Sequence, residues 1–567
     1  MQVGHKLLIW FVILSFMIGG IFGCANDDDD DDSNGSSGND DDDSSDDDND
    51  DDDSSGDDDD NTPIKVISEV LTLDTAAAPA NPVTGAETPD ELNKIIIIRY
   101  RQDTGDEPPR PVKSILLFAM GWGAGATQMT LMAEDLIQKT GGDIEVWAID
   151  RKTNLLEDTW GMDKAEAAKD PQIAYDYYYA GLPIDGKTFD GWYDPMSPDL
   201  DMMSEWGVDE FFEAMRLIIE QIPEENRQTN VFIGGHSQGA RTARMFAAYE
   251  FPDGTLGTDL IAGLIQWDSA DHQGDETYTE EEYLDILDDL RVGTLPRFYG
   301  QDYYSEEAST VFLMQYFAMA ATEGFGNGDP RFGPDGFLQE WPGFIGFVKP
   351  FLLRLRNVNL TNEAFVGYLV DNDSGFIREF TGHLGSLGGG TLGQDRFGVY
   401  PNENGATYYW KHYKDTDPQE LVDIQRVIRM IYEGPSNFTD TYNSFRFLIE
   451  HFMAQEVESE GTWVHNYFHY YTSKIDVPIF CLEGQFVEGT GAYEHLRDSV
   501  APVRGFDLPR EELGFEIFQV HDWSHLEVIL VEPDRNPAYN ALLNWLDNWS
   551  SGEVQVPLFG DVVLPHS

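Results

Sequence analysis

Residues Val231-Phe232-Ile233-Gly234-Gly235-His236-Ser237-Gln238-Gly239-Ala240 join a short apolar run, a G-x-S-x-G pentapeptide and the start of a helix-like segment. On its own a Ser between glycines is an ordinary turn. The flanks make it more specific. Asn230 to Gly234 reads as a buried strand, and Gln238 to Glu250 reads as a helix with Ala240 and Ala243 where it must pack closely on a sheet. A sharp strand-to-helix turn of this kind holds its Ser in a strained backbone conformation with the hydroxyl projecting, and only small residues two positions before and after it avoid a clash.

The surrounding chain alternates strand and helix. Lys94 to Arg101, Ser114 to Met120 and Ile144 to Ile149 have strand length and apolar character, with a helix expected from Thr127 to Lys139. Val208 to Ile222 places Val208, Phe211, Phe212, Met215, Ile218, Ile219 and Ile222 on one helical face directly before the Ser-bearing strand. Leu260 to Trp267 reads as the next strand, ending at Asp268. The pattern resumes only after some 200 residues, with strands at Val477 to Leu482 and Phe515 to Val520 and a final helix near Asn536 to Trp549. Strands separated by helices predict a parallel sheet.

This order resembles the α/β-hydrolase fold, over residues 92 to 268 and 470 to 550. The phrases Val146-Trp147-Ala148-Ile149-Asp150-Arg151, Asn154-Leu155-Leu156-Glu157-Asp158 and Trp523-Ser524-His525-Leu526-Glu527 look most like its lipase and esterase branches. The resemblance implies a mostly parallel sheet flanked by helices, with a large, mainly helical cap at 269–469 inserted after the sixth core strand, between core parts 64–268 and 470–567. Within the insertion, Val311 to Ala321 and Phe344 to Leu355 read as cap core, and the Gly-rich Gly382 to Gly398 as a mobile loop. Asp371 to Gly375 starts like a calcium loop but reaches Gly382 where a Glu would be needed, so no metal site is expected there.

A Ser hydroxyl attacks a carbonyl only when a base takes its proton, and that base is oriented by a carboxylate. The resemblance implies Ser237 as nucleophile and His525, in a His-x-Glu ending after the last strand, as general acid and base, ahead of His521 at the strand end. It implies an acid shortly after the Gly that ends the seventh strand. Gly484 is followed by Gln485-Phe486-Val487-Glu488, so Glu488 is the expected acid, with Glu483 and then Asp268 as alternatives. The oxyanion donors would be the backbone N–H groups of Gln238 and, on the loop after Met120, of Trp122. No cofactor or metal is required. The expected substrate is a small-molecule or lipid ester. An amidase or peptidase on the same triad, or a non-catalytic surface-binding lipoprotein, are the alternatives.

The N-terminus tells a separate story. Lys6 precedes an apolar run from Leu7 to about Ile18, which reads as a secretory signal over residues 1–23. Ile21-Phe22-Gly23-Cys24 resembles a bacterial lipobox, implying lipidation of Cys24 and, with Ala25 beside it, an outer-membrane lipoprotein facing periplasm or surface. Residues 24–63 follow as an Asp/Ser-rich tether. Asn26 to Asn61 contains 21 Asp and no apolar residue, too little to offset the entropy of ordering. Without those Asp and Lys6 the chain still has 83 acidic against 34 basic residues, near −49, which argues against nucleic acid and anionic surfaces as partners. The only other Cys, Cys481, lies in an apolar run and is expected in the core.

Overall fold

The computed structural model describes residues 63–106, 108–269, 279–298, 315, 318–321, 353–355, 358–374, 382–395, 398–416, 420–434, 438–453, 463–555 and 562–563. The signal segment, Cys24, the acidic tether and much of Val311 to Leu355 therefore lie outside the described residues. Residues Ile64–Ser567 form one compact unit.

Its centre is a sheet built from β1 (Val66–Asp74), β2 (Lys94–Gln102), β3 (Ser114–Ala119), β4 (Ile144–Asp150), β5 (Val231–His236), β6 (Gly263–Trp267), β7 (Ile479–Glu483) and β8 (Phe515–Gln519), in the spatial order β8-β7-β6-β5-β3-β4-β2-β1, with Val562–Val563 added beyond β1. From β4 to β8 every pairing is parallel; β2 runs antiparallel to β4, and β1 antiparallel to β2. Every residue of β3, β4, β5, β6 and β7 is buried, as expected of inner parallel strands covered on both faces. This mostly parallel sheet with flanking helices is the architecture that the resemblance to the α/β-hydrolase fold implied.

Helix α1 (Thr130–Lys139) follows a 3-10 turn at Ala126–Met129, so the expected helix from Thr127 begins as a tighter coil. Helix α2 (Val208–Glu220) buries the apolar face read from its sequence, and Phe212 packs edge-on against Phe246 of α3 (Gln238–Ala248). Ala240 and Ala243 are fully buried where α3 crosses the sheet. Cys481 is buried in β7. Strand β1 went unread in the sequence; of its nine residues only Glu69 and Leu71 are buried.

Among its described residues the insertion between β6 and β7 carries the expected helices and, in addition, short strands that the sequence did not announce. Its described part holds helices Glu280–Val292, Asn362–Val370, Ile424–Tyr432 and Phe445–Met453, but also a small sheet of Asn359–Leu360, Thr407–His412 and Gly385–Gly388, and a hairpin of Leu392–Asp395 with Gly398–Pro401. The Gly-rich stretch read as a loop thus supplies strands. Its glycines sit against aromatic rings: a Cβ on Gly388 would lie 2.7 Å from the ring of Tyr409 across the ladder. Phe365, Ile424 and Ile428 of the insertion share one apolar core with Phe118, Met132 and Trp267.

Candidate active site

Ser237 stands at the junction of β5 and α3 with φ 58° and ψ −129°, a region that costs a non-glycine residue of order 1–3 kcal/mol. The glycines of the pentapeptide make the turn possible. A Cβ on Gly235 would meet the carbonyl carbon of Gly239 at 2.3 Å, and one on Gly239 would meet the Ala119 carbonyl oxygen at 1.9 Å. The Ser237 N–H is held by the Trp267 carbonyl at 3.0 Å. As the first residue of α3, Gln238 has a backbone N–H without a partner inside the helix, at the positive end of its dipole.

His525 lies in the loop after β8, 2% exposed. Its ring sits between His236, with centroids 4.3 Å apart, and Phe486 at 4.6 Å. The His236 Nε2–H donates to the His525 carbonyl at 2.8 Å, so the residue just before Ser237 anchors the histidine loop. Burial pulls the His236 ring well below the usual imidazole range and keeps it neutral.

The carboxylate against His525 is Asp268, not Glu488. His525 Nδ1 lies 2.6 Å from Asp268 Oδ2, and because an ionised carboxylate only accepts, Nδ1 carries the proton and Nε2 is left as the basic nitrogen. The register explains the placement. Trp267 pairs with His236, so the residue after it stands beside Ser237; Asp268 bends there with φ 46°, a conformation Asp tolerates better than most residues. The other carboxylate oxygen accepts the Gly484 N–H at 2.9 Å, and the Val487 N–H, which donates to the Gly484 carbonyl at 3.1 Å, also favours the charged carboxylate. Burial acts against charge on both partners, pushing the Asp268 carboxyl up to about 7 and the imidazole down, and the donors at Asp268 offset only part of that shift.

The loop after β7, expected to carry the acid, therefore supplies donors to it. Gly484 O accepts the N–H of both Val487 and Glu488, curling the loop into a turn. That turn carries the Glu488 side chain outward, where its Oε1 lies 2.7 Å from Nδ1 of the exposed His521. Glu483, at the end of β7, is buried, and its carboxylate accepts the Gly489 N–H at 3.3 Å. Of the expected set, Ser237 and His525 occupy one region with Asp268, and Glu488 and His521 form a separate exposed pair.

Trp122 lies in the turn after β3, its side chain 44% exposed. Ala124 N–H closes that turn on the Gly121 carbonyl at 3.3 Å, with Gly123 at φ 63°. Gly121 packs on the elbow: a Cβ there would lie 3.3 Å from Ser237 Cβ and 3.8 Å from its Oγ. Sequence reading did not find Glu527 as a structural group, although the His-x-Glu spacing contained it. Fully buried, it accepts the Ser524 N–H at 2.7 Å and both the backbone N–H and Nδ1 of His383 at 2.7 and 2.6 Å, tying the histidine loop to the insertion. Among the described residues no group of three or more His, Cys, Asp or Glu converges as metal ligands.

No family model matches the chain, and no curated protein matches it either. Solved structures similar to it include a candidate lipase from Sulfolobus solfataricus (TM-score 0.39, 12% identity, covering 86% of this chain and 97% of that one). A soluble variant of monoglyceride lipase from Saccharomyces cerevisiae scores 0.29 at 12% identity over 81% and 93%. An epoxide hydrolase from Vigna radiata scores 0.33 at 11% over 80% and 95%. At such scores these similarities carry no argument about chemistry, and the functional reading rests on the site.

Proposed function

We propose that this protein is a serine hydrolase that cleaves carboxylic esters through an acyl-enzyme, with Ser237 as nucleophile, His525 as general acid and base, and Asp268 as the orienting acid. The observation that carries the reading is the strained Ser237 elbow beside a buried His525–Asp268 pair whose tautomer leaves Nε2 basic. In this mechanism His525 Nε2 takes the Ser237 proton as Oγ attacks the ester carbonyl. The N–H groups of Gln238 and Trp122 receive the developing oxyanion. Collapse breaks the C–O bond to the alcohol, which leaves with the proton from Nε2–H. Water, deprotonated by the same nitrogen, then hydrolyses the acyl-enzyme and regenerates Ser237.

A panel of p-nitrophenyl esters of graded chain length tests this reading directly. Turnover by the wild-type protein, lost by more than a hundredfold in a folded Ser237→Ala variant, supports it; turnover of anilides in preference to esters would favour the amidase alternative. Cys24 is proposed as a lipidated anchor, with the acidic segment 24–63 between it and the catalytic body. Retention of Cys24→Ser in the membrane fraction would refute that anchor. Among the described residues no helix is long and apolar enough to cross a membrane.

A further inference from the structure

Arg151, the residue directly after β4, is buried beneath the proposed oxyanion loop, with 6% exposure. Its Nη2 donates to the carbonyls of Met120 at 2.6 Å and Gly121 at 3.0 Å, and approaches Gln238 Oε1 at 3.4 Å. Its Nη1 reaches the Ala124 carbonyl at 3.5 Å and Asp440 Oδ2 at 3.2 Å. The guanidinium also lies over the Phe447 ring, 5.3 Å from its centroid. One cation thus touches both parts from which the two oxyanion donors would come.

We propose that Arg151 is a positioning residue that aims and polarises those donors. The inference rests on the reading of Ser237 as nucleophile. In a trans peptide the C=O and N–H point in opposite directions, so a Gly121 carbonyl bound by Arg151 turns the Trp122 N–H away from the guanidinium. Hydrogen bonds in series strengthen one another in a low-dielectric setting: a full positive charge on the carbonyl withdraws electron density from the peptide and makes its N–H a better donor to an anion. The contact with Gln238 Oε1 fixes the neighbouring helix start relative to the same loop. Asp440, itself held by Thr153 Oγ1 at 2.9 Å and donating its N–H to the Gly123 carbonyl at 3.0 Å, anchors the guanidinium from the insertion.

The test compares an ester with its thionoester, in which the carbonyl oxygen is sulfur, so that the developing anion is a larger and weaker hydrogen-bond acceptor. The ratio of the two kcat/KM values reports the oxyanion donors and is independent of the fraction of folded protein. Arg151→Lys is expected to lower the ester-to-thionoester ratio by at least about tenfold, acting on kcat more than KM. Asp440→Asn, which keeps the guanidinium and loosens it, should shift the ratio the same way by a smaller factor, and decides the matter if Arg151→Lys does not fold. Ratios within twofold of wild type in the variants that fold, with both substrates slowed equally, would overturn the proposal and leave Ser237 untouched. Failure of a fluorophosphonate to label Ser237 in the wild type would remove the nucleophile reading, and the role of Arg151 with it.

Discussion

Replacing Asp268 by Asn isolates the acid from every other part of the site. The two side chains have nearly the same shape, and the Asn oxygen can still accept the Gly484 N–H that Asp268 Oδ1 takes at 2.9 Å. At the Oδ2 position, however, an NH2 group would face His525 Nδ1 at 2.6 Å. Two donors cannot share that contact, so the ring must shift its proton to Nε2, the nitrogen that should deprotonate Ser237. The wrong tautomer costs a serine triad about 10⁴ in kcat, equivalent to about 5.5 kcal/mol at about 1.4 kcal/mol per decade. The assay is steady-state hydrolysis of a chromogenic ester by purified Asp268→Asn, Glu488→Gln and Glu483→Gln, each checked for its melting temperature. Asp268→Asn should lose at least a thousandfold in kcat, and the two Glu variants should stay within a few-fold of wild type. A large loss in Glu488→Gln with Asp268→Asn near wild type would assign the orienting role to Glu488 instead.

Two further outcomes follow from the same geometry. Gly239→Ala would set a methyl group 1.9 Å from the Ala119 carbonyl oxygen; backbone faces backbone there, no rotamer relieves the clash, and urea denaturation should show a loss of about 3 kcal/mol, an unchanged midpoint arguing against the elbow geometry. The contact with Glu488 raises the His521 pKa above its usual value, so its NMR titration midpoint should lie above 6.5 and fall in Glu488→Gln. The stabilisation from this pair is present below the unfolded-state pKa of His521 and is lost as pH rises through the raised one; a midpoint indifferent to the substitution would contradict the pairing.

The inner parallel strands were legible because, buried on both faces, they are largely apolar, and their ends were read to within one to three residues: Ser114–Ala119 against an expected end at Met120, Ile479–Glu483 against an expected Val477 to Leu482, and Gly263–Trp267 against an expected start at Leu260. The sharp turn at Ser237 was legible because steric closeness demands small residues at fixed offsets around it, and the place of His525 because it follows the last strand. Asp268 was visible at the end of β6, but choosing it required knowing that the loop after β7 curls and turns its N–H groups inward, a tertiary fact with no periodic signature. The sheet within the insertion was illegible for a related reason. Its short strands carry glycines that pack beneath Tyr409 and neighbouring rings, and a Gly-rich stretch reads as loop when the rings that cover it lie some twenty residues away.

A Ser237 nucleophile activated by His525 and Asp268 is open to covalent trapping. The full-length protein is treated with a fluorophosphonate, digested, and the modified residue located by mass spectrometry, alongside His525→Ala and Asp268→Asn. A single adduct on Ser237 is expected in the wild type, formed at least about a hundredfold more slowly in both variants. An adduct on another serine, or an esterase activity that survives without any adduct on Ser237, would contradict it.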